Sequence, residues 1–456
     1  MYEHDGRLRC YNLIAKLISI ILKYDKKKLN EAKMSYRSLG DDTSKKVRKT
    51  IEASMPELYN KNHVKELFKQ SFLNAFEKII QIEDNLLTLL VLLSKIDIYL
   101  KDDFFTIFSF RQDYKRINSL NNNVSETGII LLPRCKCAWE REHRLIQNGI
   151  ELIHIMDNLY YIEADENGEL ESIQGEKFQI QNFLVKKSFF KQAFDRGYLK
   201  VGFSPVTKED CIKESVKINE VDGGRKFSVE LDADKKTFLM KRIERIMDEA
   251  KEQDVDIMIF PEMLGSDEIN NFIKEKLMNS FGEKEYPSLV IAPSVWKNKR
   301  NTCSIFSHLG DIIAEQDKQY PFFWKKEAAY EGIEPIRKIA IFHCNGIGRI
   351  AIIICADALS HEFKKILYEK LKISFLIIQS YSSGYYDFEL AKSYSSNFDV
   401  AGIWINSCSA LEKDNKCIGL GFQFGKKEYV QNEKKYYRCN CEMCEERCLF
   451  MYEYKI

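Results

Sequence analysis

A carboxylate, an amine and a thiol each stand at the end of a predicted strand in the second half of this chain. In DIMIFPEMLG (256–265), Glu262 follows a strand-like run and Pro261. A carboxylate placed there is partly desolvated and able to hold a raised pKa, as a general base or acid requires. In GDIIAEQDKQYPFFWKKEAAYEGIEP (310–335), Lys318 follows a second run and precedes an aromatic, proline-containing loop. An ammonium in that position can clamp developing negative charge, whereas Lys325 and Lys326 read as solvated. In GRIAIIICADALSHEFKK (348–365), Cys355 ends a third run just before a predicted helix. The positive end of a helix favours the thiolate, and the Ala356 backbone N–H points where an oxyanion would form. Each string alone also has a plainer reading: a loop glutamate, a surface lysine laying its stem over aromatic rings, and a buried cysteine serving as a small hydrophobe. Their order, with 56 residues from Glu262 to Lys318 and 37 more to Cys355, and their common place at strand ends are what suggest a base, a clamp and a nucleophile.

The elements that must position these groups change character along the chain. Residues 1–127 contain only Gly6, Gly40 and Pro56 as breakers, and read as helices. In 62–82, Val64, Leu67, Phe68, Phe72, Ala75, Phe76 and Ile79 recur at steps of three and four, which predicts a helix with one wide apolar face. Residues 84–100 and 139–162 read as further helices, with 117–126 as a loop. From about 198 the pattern becomes strand, helix, strand. The predicted strands are 198–206, 255–260, 288–293, 349–355, 375–379 and 400–406, and 233–253 is a helix with Leu239, Ile243, Ile246, Met247 and Ala250 on one side. Short continuous apolar runs are typical of strands buried on both faces in layered α/β folds. An inserted hairpin is expected over 207–231, turning at DGG (222–224).

Composition bounds the alternatives. At 456 residues, 45% hydrophobic and 12% aromatic, the chain has the composition of a folded protein of two to four domains. Its 69 Lys+Arg and 68 Asp+Glu leave a net charge of +1, so no overall field draws it onto nucleic acid or membrane. The most apolar run, 86–100, is interrupted by Lys95 and Asp97 and falls short of the ~20 residues of a spanning helix. Thirteen cysteines cannot all be paired, which with the absence of a secretory-type amino terminus suggests a reducing, cytoplasmic setting.

Residues 198–456 resemble the nitrilase (carbon–nitrogen hydrolase) superfamily, whose catalytic triad is Glu, Lys and Cys in this order. The FPE ending, the lysine before a proline-containing loop and the ICxD string carry the resemblance. RNTCSIFSHLGDIIAEQDK (300–318), Glu362 seven residues after Cys355, and AGIWIN ending in Asn406 add to it. It implies an α-β-β-α sandwich over 196–456, preceded by a mainly helical module at 1–195 that supplies no catalytic group. It implies a thiol amidohydrolase acting on a small-molecule amide or nitrile, with Glu262 as base, Cys355 as nucleophile, and Lys318 and the Ala356 N–H on the oxyanion. No cofactor is required by that chemistry, and a homodimer or larger assembly is expected. The family's further glutamate is Glu327 or Glu331, with Glu327 preferred on spacing. Cys355 is followed by Ala356 where many members carry a larger residue, and the DALSHE stretch lacks their arginine, which leaves the substrate open.

Other features stay outside that scheme. Cys439, Cys441, Cys444 and Cys448 fall in RCNCEMCEERC, spaced C-x-C-x2-C-x3-C, and are candidate ligands of a structural zinc ion or simply reduced thiols. His343 and His361 are single imidazoles, the latter read as a helix-surface residue. Trp324, Tyr381 and Tyr385 are candidate pocket residues by proximity alone. A second functional reading is a catalytically inactive or repurposed binding or regulatory module, such as a partner or fragment of a bacterial defence protein of the reverse transcriptase–nitrilase type. No polymerase motif accompanies it, since LGDD (39–42) follows no strand-like run, although 21–50 holds ten Lys/Arg against four Asp/Glu.

Overall fold

The computed structural model of the chain describes residues 2–37, 41–58, 64–139, 152, 155–218, 224–279, 285–384, 386–410, 419–430, 435–436 and 448–456. These form a mixed α/β protein that divides into two compact units. Unit 1 comprises Met1–Cys135, Arg141–Glu171 and Gly175–Leu184; unit 2 comprises Lys136–Glu140, Ser172–Gln174 and Val185–Ile456.

Unit 1 is built on helices α1 (Tyr2–Leu22), α2 (Lys26–Arg37), α3 (Asp41–Ser54), α4 (Gln70–Ile82) and α5 (Leu86–Tyr99). The apolar stripe of α4 buries Phe72, Leu73, Phe76, Ile79 and Ile80 in a core shared with Ile14, Leu17, Leu89 and Leu93. The helix predicted over 62–82 is in fact two pieces. Lys69 takes an extended backbone (ψ 143°) and separates the 3₁₀ segment Val64–Phe68 from α4. Unit 1 also contains strands β1 (Tyr114–Ile117), β2 (Ile129–Pro133), β3 (Leu159–Glu163), β4 (Glu169–Glu171) and all but the last residue of β5 (Lys177–Val185). Strand β3, antiparallel to β2, replaces the end of the helix expected over 139–162. Aromatic and branched residues there suit a strand. The buried Asp97 of α5 fixes its start by accepting the N–H groups of Asn158 at 3.0 Å and Leu159 at 2.8 Å.

In unit 2 the predicted runs are strands, buried throughout apart from the partly exposed Tyr198 and Lys200 of the first. Strands β6 (Tyr198–Phe203), β9 (Ile257–Ile259) and β10 (Leu289–Ile291) are parallel. The antiparallel β12 (Arg300–Ser307) flanks β10 and carries both β11 (Val295–Lys297) and β13 (Ile312–Asp317). On the other side, β22 (Phe450–Lys455) runs antiparallel to β6, pairing Phe450 with Phe203 through to Lys455 with Tyr198. A second sheet holds β16 (Lys338–Cys344), β17 (Gly348–Ile354), β18 (Phe375–Ser380), β19 (Ala401–Asn406) and β20 (Gly421–Phe424), with β17, β18 and β19 parallel. Gly402 is obligatory in β19, since a Cβ there would lie 2.1 Å from the Leu376 carbonyl oxygen. The hairpin of β7 (Ile212–Ile218) and β8 (Arg225–Leu231) forms as expected, with residues 222 and 223 of its turn outside the described residues. It joins a small sheet with β14 (Phe323–Trp324) and β15 (Ala329–Glu331). Helix Lys236–Glu252 buries the five apolar residues that its sequence spacing singled out.

One side chain links the two larger sheets where their strands end. Gln379 in β18 donates from Nε2 to the carbonyl of Phe260, just past β9, and to that of Ala292, just past β10. No helix among the described residues is long and apolar enough to cross a membrane.

Candidate active site

Glu262, Lys318 and Cys355 each follow the last residues of a strand: β9, β13 and β17 respectively. The structure brings the three together in a fully buried cluster. Pro261 ends the β9 run and Met263 adopts a left-handed backbone (φ 66°), held by its N–H donating to Ser294 Oγ at 2.9 Å. That sharp exit directs the Glu262 carboxylate into the interior. The Lys318 N–H is bound to the Asn301 carbonyl of β12 at 2.8 Å, and its ammonium lies 2.8 Å from Glu262 Oε1 and 2.6 Å from Glu331 Oε2. Asn301 Nδ2 donates to both carboxylates, at 2.9 Å to Glu262 and 3.2 Å to Glu331. The other Glu262 oxygen accepts the Tyr381 N–H at 2.8 Å.

Glu331, rather than Glu327, is therefore the second carboxylate of the cluster. Glu327 lies at the protein surface and pairs with Arg225 at 3.1 Å. The local reason is Ala328, which takes a left-handed backbone (φ 47°) and turns the chain into β15, so that Glu331 and not Glu327 ends the strand beside Lys318. Reciprocal backbone and side-chain bonds to Phe322 then fix it: the Glu331 N–H donates to the Phe322 carbonyl at 2.8 Å, and the Phe322 N–H to Glu331 Oε2 at 3.2 Å.

Cys355 has a left-handed backbone (φ 48°) at the first position of the short 3₁₀ turn Cys355–Ala358. A non-glycine residue in that region is uncommon and typical of a side chain presented at a sharp strand exit. The next α-helix begins only at His361, capped by Ser360 Oγ, so the helix terminus expected to favour the thiolate is not at Cys355. Burial instead pushes the Cys355 thiol well above its ordinary pKa, and the adjacent Glu262, within hydrogen-bonding reach, adds to the rise against the opposing pull of Lys318. Burial likewise raises the Glu262 carboxyl, with Lys318 pulling it down and Glu331 pushing it up. For Lys318, burial works against the charge, but Glu262 and Glu331 together hold the ammonium well above its usual range. Burial and the neighbouring carboxylates thus oppose ionisation of the thiol, and Glu262 lies within reach of its proton.

Asp357 was legible only as the last letter of ICAD, and it turns out to be an organising residue. Its Oδ1 accepts the N–H groups of Gln319 at 2.8 Å and Tyr320 at 2.9 Å, and its Oδ2 that of Ile354 at 3.2 Å, so one carboxylate ties the segment after Lys318 to the residue before Cys355. Burial pushes its pKa up to about 7 against these hydrogen bonds. A carboxyl raised in the folded state stabilises folding fully below its unfolded pKa, near 4, and that contribution is lost as pH rises through about 7. The Asp357→Asn protein is accordingly expected to show a flatter stability curve between pH 4 and 8 than the wild type. It should also lose about 1–3 kcal/mol near pH 5, because its amide nitrogen opposes an N–H. Urea denaturation across that pH range checks both, and parallel curves for the two proteins would contradict the assignment.

The remaining candidates fall elsewhere. Ala356 is nearly buried within the turn. His361 is exposed, its ring 6.3 Å from that of Tyr394, and Glu362 accepts the Ile173 N–H at 3.2 Å. His343 is buried, and burial with Arg349 lowers its pKa to about 3. Trp324 packs edge-on against Phe227, the Tyr381 hydroxyl donates to the Ser409 carbonyl at 2.9 Å, and Tyr385 is outside the described residues. So are Cys439, Cys441 and Cys444; Cys448 is buried and accepts from Arg242 Nη2 at 3.2 Å. Among the described residues no group of three or more His, Cys, Asp and Glu is placed to hold a metal ion.

No protein-family model and no curated protein matches the chain. Among solved structures it is similar to those of an amidase from Nesterenkonia sp. AN1. One, with the acetamide moiety of fluoroacetamide added covalently at the active-site cysteine, is 10% identical over 57% of this chain and 90% of that one, with a TM-score of 0.38. A cysteine mutant described as belonging to the nitrilase superfamily has the same identity and coverage and a TM-score of 0.39. A mutant in complex with butyramide is 11% identical over 57% of this chain and 92% of that one, also with a TM-score of 0.39.

Proposed function

We propose that this protein hydrolyses a non-peptide carbon–nitrogen bond, in an amide or a nitrile, through a Glu262–Lys318–Cys355 triad and a thioester intermediate, on a nitrilase-like sandwich formed by residues 196–456. The observation that carries this reading is the buried juxtaposition of a thiol, a glutamate within its reach, and a lysine shared by two glutamates. In the amide reaction Glu262 takes the Cys355 proton as sulfur attacks the carbonyl carbon. Lys318 and the Ala356 N–H stabilise the oxyanion that forms. Glu262 returns the proton to the departing nitrogen as the C–N bond breaks, leaving the acyl group on sulfur. It then draws a proton from water, whose oxygen attacks the thioester. The acid leaves and Cys355 recovers its proton. Glu331 and Asn301 hold Lys318 and Glu262 in register, and residues 1–195 contribute no reacting group.

The test is intact-protein mass spectrometry after acid quench, with a panel of small amides and nitriles and ammonia release measured in parallel. The wild type is expected to gain the mass of an acyl group on the peptide containing Cys355, and Cys355→Ala to gain none and to release no ammonia. A wild type with neither adduct nor ammonia across the panel would falsify the reading.

A further inference from the structure

We propose that Asn406 is a positioning residue for the Glu262–Cys355 couple: its side-chain amide fixes the Ser380–Ser382 segment so that the Tyr381 N–H caps Glu262. This rests on the reading of Glu262 as the base for Cys355. Asn406 is the last residue of β19, directly opposite Ser380 at the end of β18, and is fully buried. Beyond that point the two strands no longer pair through their backbones, and the amide takes over. Its Oδ1 accepts the Ser382 N–H at 2.9 Å, while its Nδ2 donates to the Ser382 carbonyl at 2.8 Å. These two bonds reproduce the donor–acceptor pattern of a strand partner and carry the pairing on to Ser382, two residues past Ser380.

Ser380 Oγ, which donates to the Ile405 carbonyl at 2.8 Å, also lies 3.2 Å from the same Oδ1, and Nδ2 donates to the Gly419 carbonyl at 3.1 Å as well. Tyr381 is thereby held from both sides by one side chain. Its N–H has a single direction available, and along it lies Glu262 Oε2 at 2.8 Å. Gln379, the preceding residue, grips the Phe260 carbonyl two positions before Glu262. The segment 379–382 thus locates Glu262 by its backbone approach and by its carboxylate.

An N–H donated to a carboxylate stabilises the charged form. The other groups facing Glu262 come from four further elements: Lys318 past β13, Glu331 at the end of β15, Cys355 past β17 and the neutral Asn301 from β12. Since these remain in place, loosening Tyr381 removes one favourable contact and leaves the rest. Glu262 then holds its proton to higher pH, and the Glu262–Cys355 pair, which titrates as a unit, reaches its reactive form later.

The experiment follows carbamidomethylation of Cys355 by iodoacetamide from pH 6 to 10, read by peptide mapping, in the full-length wild type, Asn406→Ala and Ser380→Ala, with thermal melts to confirm folding. The midpoint for Cys355 is expected to move up by about 0.5–1 pH unit in Asn406→Ala and less, in the same direction, in Ser380→Ala. A folded Asn406→Ala with an unmoved midpoint, or with a rate lowered equally at every pH, overturns the proposal. So does a wild-type Cys355 that resists the reagent throughout. If Asn406→Ala does not fold, Ser380→Ala decides by the same criterion. A midpoint shift in a protein that forms no acyl adduct with any amide would remove the hydrolase reading and leave the role of Asn406 standing.

Discussion

Replacing Lys318 with methionine is expected to destabilise the protein by about 3–5 kcal/mol at neutral pH, the usual cost of leaving a buried charge without its partner, and to abolish acyl-adduct formation. Both Glu262 and Glu331 are fully buried, and Lys318 is the cation that bonds the two of them. Methionine fills the volume of the lysine stem without its charge. The folded protein must then neutralise Glu262 by binding a proton, so its carboxyl rises further from its unfolded value. By linkage, stability in the variant is retained at low pH and lost as pH rises through that raised pKa. Urea titrations at pH 5 and pH 8 are the check: the gap between wild type and Lys318→Met should be markedly smaller at pH 5. Equal gaps at both pH values would mean that the cluster does not carry the charges assigned to it.

Glu262→Gln is expected to be the cleaner catalytic lesion. The amide keeps the volume but only one acceptor oxygen, so it serves either the Lys318 ammonium or the Tyr381 N–H, which bond different oxygens of Glu262, and turns its NH2 toward the other. It cannot take a proton from Cys355. Loss of a positioned general base lowers a rate by about 10²–10⁴, and that loss should fall on the adduct-forming step in rapid-quench single-turnover experiments. Because protonation of Glu262 stops the proposed reaction, the wild-type rate is expected to decline toward low pH while the residual Glu262→Gln rate follows thiol ionisation alone. A loss below tenfold would show that another group removes the thiol proton.

Glu262 and Cys355 stand out in the sequence because each follows a run without a polar face, and such runs have only one stable home, the inside of a layered sheet, whereas Lys318 follows a strand with polar and exposed positions and is marked only by its place after that strand. The sequence disclosed less where position depends on a single backbone angle. Glu327 and Glu331 are both carboxylates on one short stretch, and the left-handed turn at Ala328 that decides between them leaves no mark in residue type. The state of Cys355 was misread for a related reason: ICADAL could open a helix, but the chain makes a 3₁₀ turn first and leaves the thiol governed by burial. Asn406 and Asp357 look ordinary in sequence, since what distinguishes them is the number of backbone groups that converge on one side chain. In unit 1 the error over 159–163 was one of period, where a short apolar run fits a strand or a buried helix equally well until β2 provides an antiparallel neighbour.

The pairing of β22 with β6 bears on how this protein is made. The two strands are separated by roughly 250 residues of chain, which at the synthesis rates of about 5–20 residues per second take about 12–50 s to appear. Once β9 has been made, about 50 residues after β6, β6 can be joined to it on one side, yet its other edge, with Val201 and Phe203 among its side chains, has no strand to accept until β22 follows. An open, apolar edge is a template for the wrong partner. Unit 2 therefore passes through a period on the ribosome in which its sheet is complete on one side only, and its yield in a cell should depend on chaperones that occupy that edge until the last strand arrives.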